Sequence, residues 1–117
     1  MVTHEIEHTG RLAVLTLAYS GQRVVTASGY LVNEAGLARL YLVSFWEERR
    51  VPPHRLGHVA LARFAKALGA QCLVPVDHGM PAVPGRVQLA AVEGGFVPCL
   101  PAVTLEQLEQ KLKTPAA

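Results

Sequence analysis

The chain has 117 residues, 50% of them apolar and 17% charged, a composition too apolar for an intrinsically disordered chain. Eleven basic against nine acidic side chains leave a net charge of +2, so overall charge singles out no partner. This length makes one domain, 1–117, and its apolar runs fall short of the roughly 20 residues that cross a bilayer, so no membrane partner is expected.

Residues 1–10, MVTHEIEHTG, read as a polar lead-in. They carry His and Glu where an export signal carries Lys or Arg ahead of an apolar core, so a cytoplasmic location is expected. RLAVLTLAY over 11–19 predicts a strand with two largely apolar faces, which requires cover on both sides. Ser20-Gly21-Gln22 is a turn signal. Residues 23–32 form a second strand, in which Ser28-Gly29 marks a bulge or a close backbone approach. Asn33 to Gly36 reads as a four-residue hairpin turn, and 37–46 as a third strand.

A charged connection, 47–53, ends in two prolines. Proline is tolerated in a first helical turn, so a helix is predicted over 53–69. Leu56, Ala60, Leu61, Phe64, Ala67 and Leu68 fall on one side of it, Arg55, His58, Arg63 and Lys66 on the other. Gly69 is its C-cap. Residues 71–76 predict a buried strand, 77–85 a loop, 86–92 a strand and 96–100 a short edge piece confined by Pro98. Thr104 to Gln107, TLEQ, is a capping-box pattern that opens a helix running to Lys113, and 114–117 form a frayed tail. The order β-β-β-α-β-β-α predicts an α+β domain, a mainly antiparallel sheet with two helices packed on one face.

Several constellations bear on chemistry. His4-Glu5-Ile6-Glu7-His8 spells HExxH, which binds zinc when a helix sets both imidazoles one turn apart. Here Thr9-Gly10 stops any helix at once. On a strand the two His lie about 13 Å apart, so the segment reads as a solvated lead-in or edge strand. His54 and His58 stand one turn apart on the predicted helix. They sit beside Arg55 at the positive end of the helix dipole, which favours a solvated basic face over a metal site. Asp77-His78 pairs an acid with an imidazole in the loop after a strand, a weak catalytic candidate. The competing reading is a turn that satisfies its own backbone. Cys72 and Cys99 read as small buried hydrophobes in a reducing compartment. No glycine-rich phosphate loop appears, and no cofactor is expected.

Charge distribution carries more than any motif. Residues 1–48 hold three basic and five acidic side chains, residues 49–76 five and none, and residues 77–117 three and four. The middle block is therefore +5 between ends of −2 and −1. Arg49, Arg50, Arg55, His58, Arg63 and Lys66, with Trp46 beside them to stack on a base, are candidates for binding nucleic acid or another polyanion. Pairing with Glu47 and Glu48 on a merely solvated face is the plainer alternative. The leading expectation is a non-catalytic homo-oligomer, because two helices on one face leave the other apolar face of the sheet to be covered by a second copy. A basic binding module comes second and a small enzyme at Asp77-His78 third. The single Asn fits a thermophile, although three Lys against eight Arg run the other way.

Overall fold

The computed structural model describes residues 2–48, 56–77 and 98–113. Eight elements follow in order: strands β1 (Val2–Thr9), β2 (Leu12–Tyr19), β3 (Gln22–Glu34) and β4 (Leu37–Glu47), helix α1 (Leu56–Ala67), strands β5 (Cys72–Asp77) and β6 (Val103–Thr104), and helix α2 (Leu105–Lys113). The six strands lie side by side in chain order. The first three pairings are antiparallel, and β4–β5 and β5–β6 are parallel.

This corrects the expected architecture. The order is β-β-β-β-α-β-β-α, not β-β-β-α-β-β-α, because residues 1–10 supply a full strand and not a lead-in. Every position from Val2 to Thr9 pairs with β2. A strand whose only described apolar side chain is Ile6 gives almost no hydrophobic signal, so its pairing with β2 could not be read locally. The predicted strand 86–92 lies outside the described residues.

Short turns fix the antiparallel registers. Tyr19 pairs with Gln22 and Glu34 with Leu37, leaving two-residue loops at Ser20-Gly21 and Ala35-Gly36. All four loop residues have positive φ, 52° and 81° in the first and 51° and 80° in the second, the twist that two-residue hairpins demand. Ala35 pays for its left-handed backbone in strain. The four-residue turn expected at 33–36 is thus a tighter loop of two.

The expected irregularity at Ser28-Gly29 is present. Ser28 pairs with Ser44 and Gly29 with Leu42, so Val43 is an extra residue on β4. A Cβ at Gly29 would lie 2.5 Å from the Tyr41 carbonyl oxygen, and only glycine permits this approach.

The helices lie on opposite faces of the sheet, which corrects the placement of both on one face. Leu61 and Phe64 of α1 pack on Leu15, Leu17, Val25, Leu40, Leu42 and Leu73. Leu108 of α2 packs on Val32, Tyr41, Val74 and Val76. Neighbouring positions on β4 and β5 therefore serve different cores, which is why these strands are apolar on both faces. The burial pattern of α1 also differs from expectation. Ala62 and Ala65 are fully buried while Ala67 is exposed; small side chains let this Ala-rich helix lie close against its neighbours.

Both helix ends behave as the sequence implies. At Gly69, with φ of 74°, the Ala70 N–H donates to the Ala65 carbonyl at 2.8 Å and the Gly69 N–H to Lys66 at 3.0 Å. These bonds satisfy carbonyls that the last turn would otherwise orphan. Thr104 and Gln107 bond reciprocally, each side chain accepting from the other's backbone N–H at 3.1 and 2.8 Å, the expected capping box.

Candidate functional site

Parallel strands need a crossover, and here α1 makes it between β4 and β5. Their pairing runs from Arg39↔Cys72 to Leu42↔Pro75 and stops there. Beyond that point β4 passes through the bulge at Val43 and continues to Glu47. Meanwhile β5 pairs its last two residues, Val76 and Asp77, with β6. The sheet is thus open between the carboxyl ends of two parallel strands, the position where open α/β sheets hold ligands. Bulges are common beside such sites because they redirect side chains.

In the sequence, two candidate groups follow the ends of these strands. The connection from Glu47 to Leu56 carries Arg49, Arg50, His54 and Arg55 from the end of β4 into the start of α1. Asp77 is the exposed last residue of β5 and precedes His78. Arg49, Arg50, His54, Arg55 and His78 lie outside the described residues, as does the side chain of His58. Trp46, 46% exposed, is three residues past the bulge, opposite Thr26. The first turn of α1 holds no acidic residue, so nothing within it offsets the positive end of the helix dipole. Arg63 and Lys66 come seven and ten residues after Leu56, the first residue of α1, about 10 and 15 Å along the helix axis from it.

Other sequence candidates separate. His4 and His8 sit on β1 opposite Leu17 and Ala13, on the α1 side and at strand spacing. The one-turn geometry of an HExxH zinc site is therefore absent. Among the described residues no three potential metal ligands come together. Cys72 and Cys99 are not joined in a disulfide. Residue Cys99 bridges to Leu73 and packs in the α1 core, whereas Cys72 follows the alternation of Val74 and Val76 toward α2, so the two thiols face opposite ways. Burial pushes the Cys72 thiol up, more than Arg39 nearby pulls it down, and a protonated, enclosed thiol is a poor nucleophile.

One polar cluster was not anticipated. The Tyr41 hydroxyl donates to Glu34, whose other oxygen pairs with Lys111 at 2.7 Å. The Lys111 ammonium also stands 5.8 Å from the Tyr41 ring centroid, within cation–π range. Burial works to raise the Glu34 carboxyl, but bonds from Lys111 and Tyr41 outweigh it and hold the group below its usual range. Burial and the Glu34 carboxylate push the Tyr41 phenol well above its own. Arg39, on the same side, keeps a buried Nε without a partner. Nothing local in the sequence signals this cluster, since Glu34 and Lys111 are 77 residues apart. It clasps α2 to the sheet, with help from Arg11, which donates to the Leu112 carbonyl at 2.9 Å.

Beside the bulge, Leu12, Ser28, Tyr30, Val43, Ser44 and Leu105 line an open, mainly apolar cavity of about 260 Å³. The Ser28 and Ser44 hydroxyls satisfy each other at 2.5 Å. No helix of the described residues is long and apolar enough to cross a membrane.

No protein-family model matches this chain, and no curated protein matches it. Among solved structures it is similar to an aminoglycoside acetyltransferase from an uncultured soil metagenomic sample, crystallised in complex with trehalose. The TM-score is 0.47 and the identity 9%, over 62% of this chain and 51% of that one. The chain thus spans about half the length of that structure, and a likeness this distant carries no argument about activity or ligand.

Proposed function

We propose that this domain binds a small phosphate-bearing molecule at the carboxyl ends of β4 and β5. The observation that carries the reading is the end of β4–β5 pairing at Leu42↔Pro75, beside the bulge. The chain that leaves β4 enters α1, and the first N–H groups and dipole of a helix suit an anion. The preceding connection carries Arg49, Arg50 and Arg55, whose forked donors match phosphate oxygens. Asp77 ends β5 on the far side of that opening, and His78 follows it in the sequence. Arg63 and Lys66 are too far along α1 for one small ligand and would add to binding only for a long polyanion.

Trp46 is the single tryptophan and stands near the end of β4, so its emission serves as the probe of binding. Titration with pyrophosphate or adenosine diphosphate is expected to give a saturable change that weakens between about 50 and 200 mM salt. Arg49→Glu with Arg55→Glu should abolish it, and Arg63→Glu with Lys66→Glu should leave it intact. No saturable change at low salt would remove the reading. If a DNA or RNA strand bound and the second pair of changes abolished that binding, the ligand would be nucleic acid instead.

Self-association is a second reading, favoured by one observation. On the α2 side Leu12, Val14, Ala18 and Tyr30 are only half-buried, and Leu105 is 41% exposed. The original reason for it is weaker than the sequence implied, since β4 and β5 have helices on both faces. Val14→Glu should shift sedimentation toward a monomer if a second copy covers this face; a monomer before the change would end this reading.

A further inference from the structure

The two edges of the sheet differ. At one, β6 contributes two residues and turns straight into α2. At the other, β1 runs eight residues in unbroken register with β2. Among the described residues nothing pairs with its outer side. Long edges of this kind are usually blunted by charged side chains, proline or a bulge; β1 has no lysine, proline or bulge, and its charges are Glu5 and Glu7. Its exposed side chains alternate strictly. Glu5 and Glu7 point to the α2 side, where Thr16 and Val14 stand opposite and supply no cation, while His4, Ile6 and His8 point to the α1 side.

This pattern selects among strands that could add to the edge. Two copies of β1 pairing antiparallel about a two-fold axis match odd positions with odd and even with even. Glu5 and Glu7 then meet only Thr3, Glu5, Glu7 or Thr9 of the other copy, never a histidine. Centred on Ile6, the symmetric register sets Glu5 against Glu7 twice, and like charges opposite each other destabilise a pair. The edge therefore resists its own copy while both acids stay uncompensated.

We propose that β1 is a docking edge for an extended segment of another protein that carries Lys or Arg at two alternate positions. Its two basic side chains face Glu5 and Glu7, and an apolar residue between them lies beside Ile6. Backbone bonds to β1 supply the affinity and the charges supply the choice of partner.

The test uses a labelled peptide, Thr-Val-Lys-Val-Lys-Val-Thr, and fluorescence anisotropy on the full chain. Saturable binding is expected, weakened at least tenfold by Glu5→Lys with Glu7→Lys. Both positions are exposed, so the variant should fold. The same peptide with glutamate for lysine should bind the variant and not the parent, and N-methylation of the amides that face β1 should abolish binding. Absence of saturable binding overturns the proposal. So does binding indifferent to the charge swap or to N-methylation, because simple charge attraction would then suffice. A concentration-dependent dimer that Ile6→Pro dissolves would overturn it as well, by giving the edge to a second copy.

Discussion

α1 presses Leu61, Phe64 and three fully buried alanines into a core built from β2, β3, β4 and β5, with no polar group among the buried side chains. On the other side α2 buries Leu108 alone, and makes up the attachment with the Glu34–Lys111 pair, the Tyr41 hydroxyl and the Arg11 bond. The α1 face is held by apolar area, which ignores pH and salt; the α2 face leans on a half-exposed ion pair, which does not. Two helices on one sheet can thus differ in what releases them.

Breaking the apolar side should have the largest effect. Phe64→Ala removes the biggest side chain of α1 from the core and should cost about 3–5 kcal/mol, read as a lower urea midpoint for the whole domain. Leu108→Ala should cost about 2–3 kcal/mol, at the low end for a buried leucine. Amide exchange should quicken in α2 and much less in α1. Equal quickening in both helices would show that they open as one unit and end the contrast.

The clasp gives a pH signature with a definite sign. Glu34 titrates lower in the folded chain than its ordinary value of 4.5, so its contribution is complete above that value and lost as pH falls below it. Tyr41 titrates above its ordinary value of 10.0, so its contribution is complete below pH 10.0 and declines above. α2 should therefore be held best between these limits and loosen first in acid, with a loss of about 0.5–1 kcal/mol for so exposed a pair. Glu34→Gln should flatten the acid limb of α2 exchange while leaving α1 unchanged. An effect of similar size but opposite sign is expected at a site on neither face. Ala35→Gly should stabilise by about 0.5–1 kcal/mol, because relief of left-handed strain exceeds the added chain entropy of glycine. A thermal melt reads this change.

What the sequence made legible was local. Gly69 closes α1, Thr104 and Gln107 open α2, and Gly29 sits at the bulge, because each of these rests on groups within a few residues or on one residue's conformational freedom. The candidate site was legible only in pieces. The basic run after Trp46 and the Asp77-His78 pair read as separate alternatives, and nothing near either one indicates that β4 and β5 run parallel and part after Leu42↔Pro75. The clasp was not legible at all, since Glu34, Tyr41 and Lys111 are ordinary residues until the strands and α2 are assembled.

The sequence by itself therefore determined where most elements begin and end and which middle segment concentrates positive charge. Tertiary structure decided the rest: that HEIEH is a strand, that β4 and β5 are parallel, and that the helices take opposite faces. The physical reason is that turns and caps are settled by backbone groups only a few residues apart. Strand pairing and the choice of face depend on which distant surfaces bury the most apolar area together, and no window along the chain contains that sum.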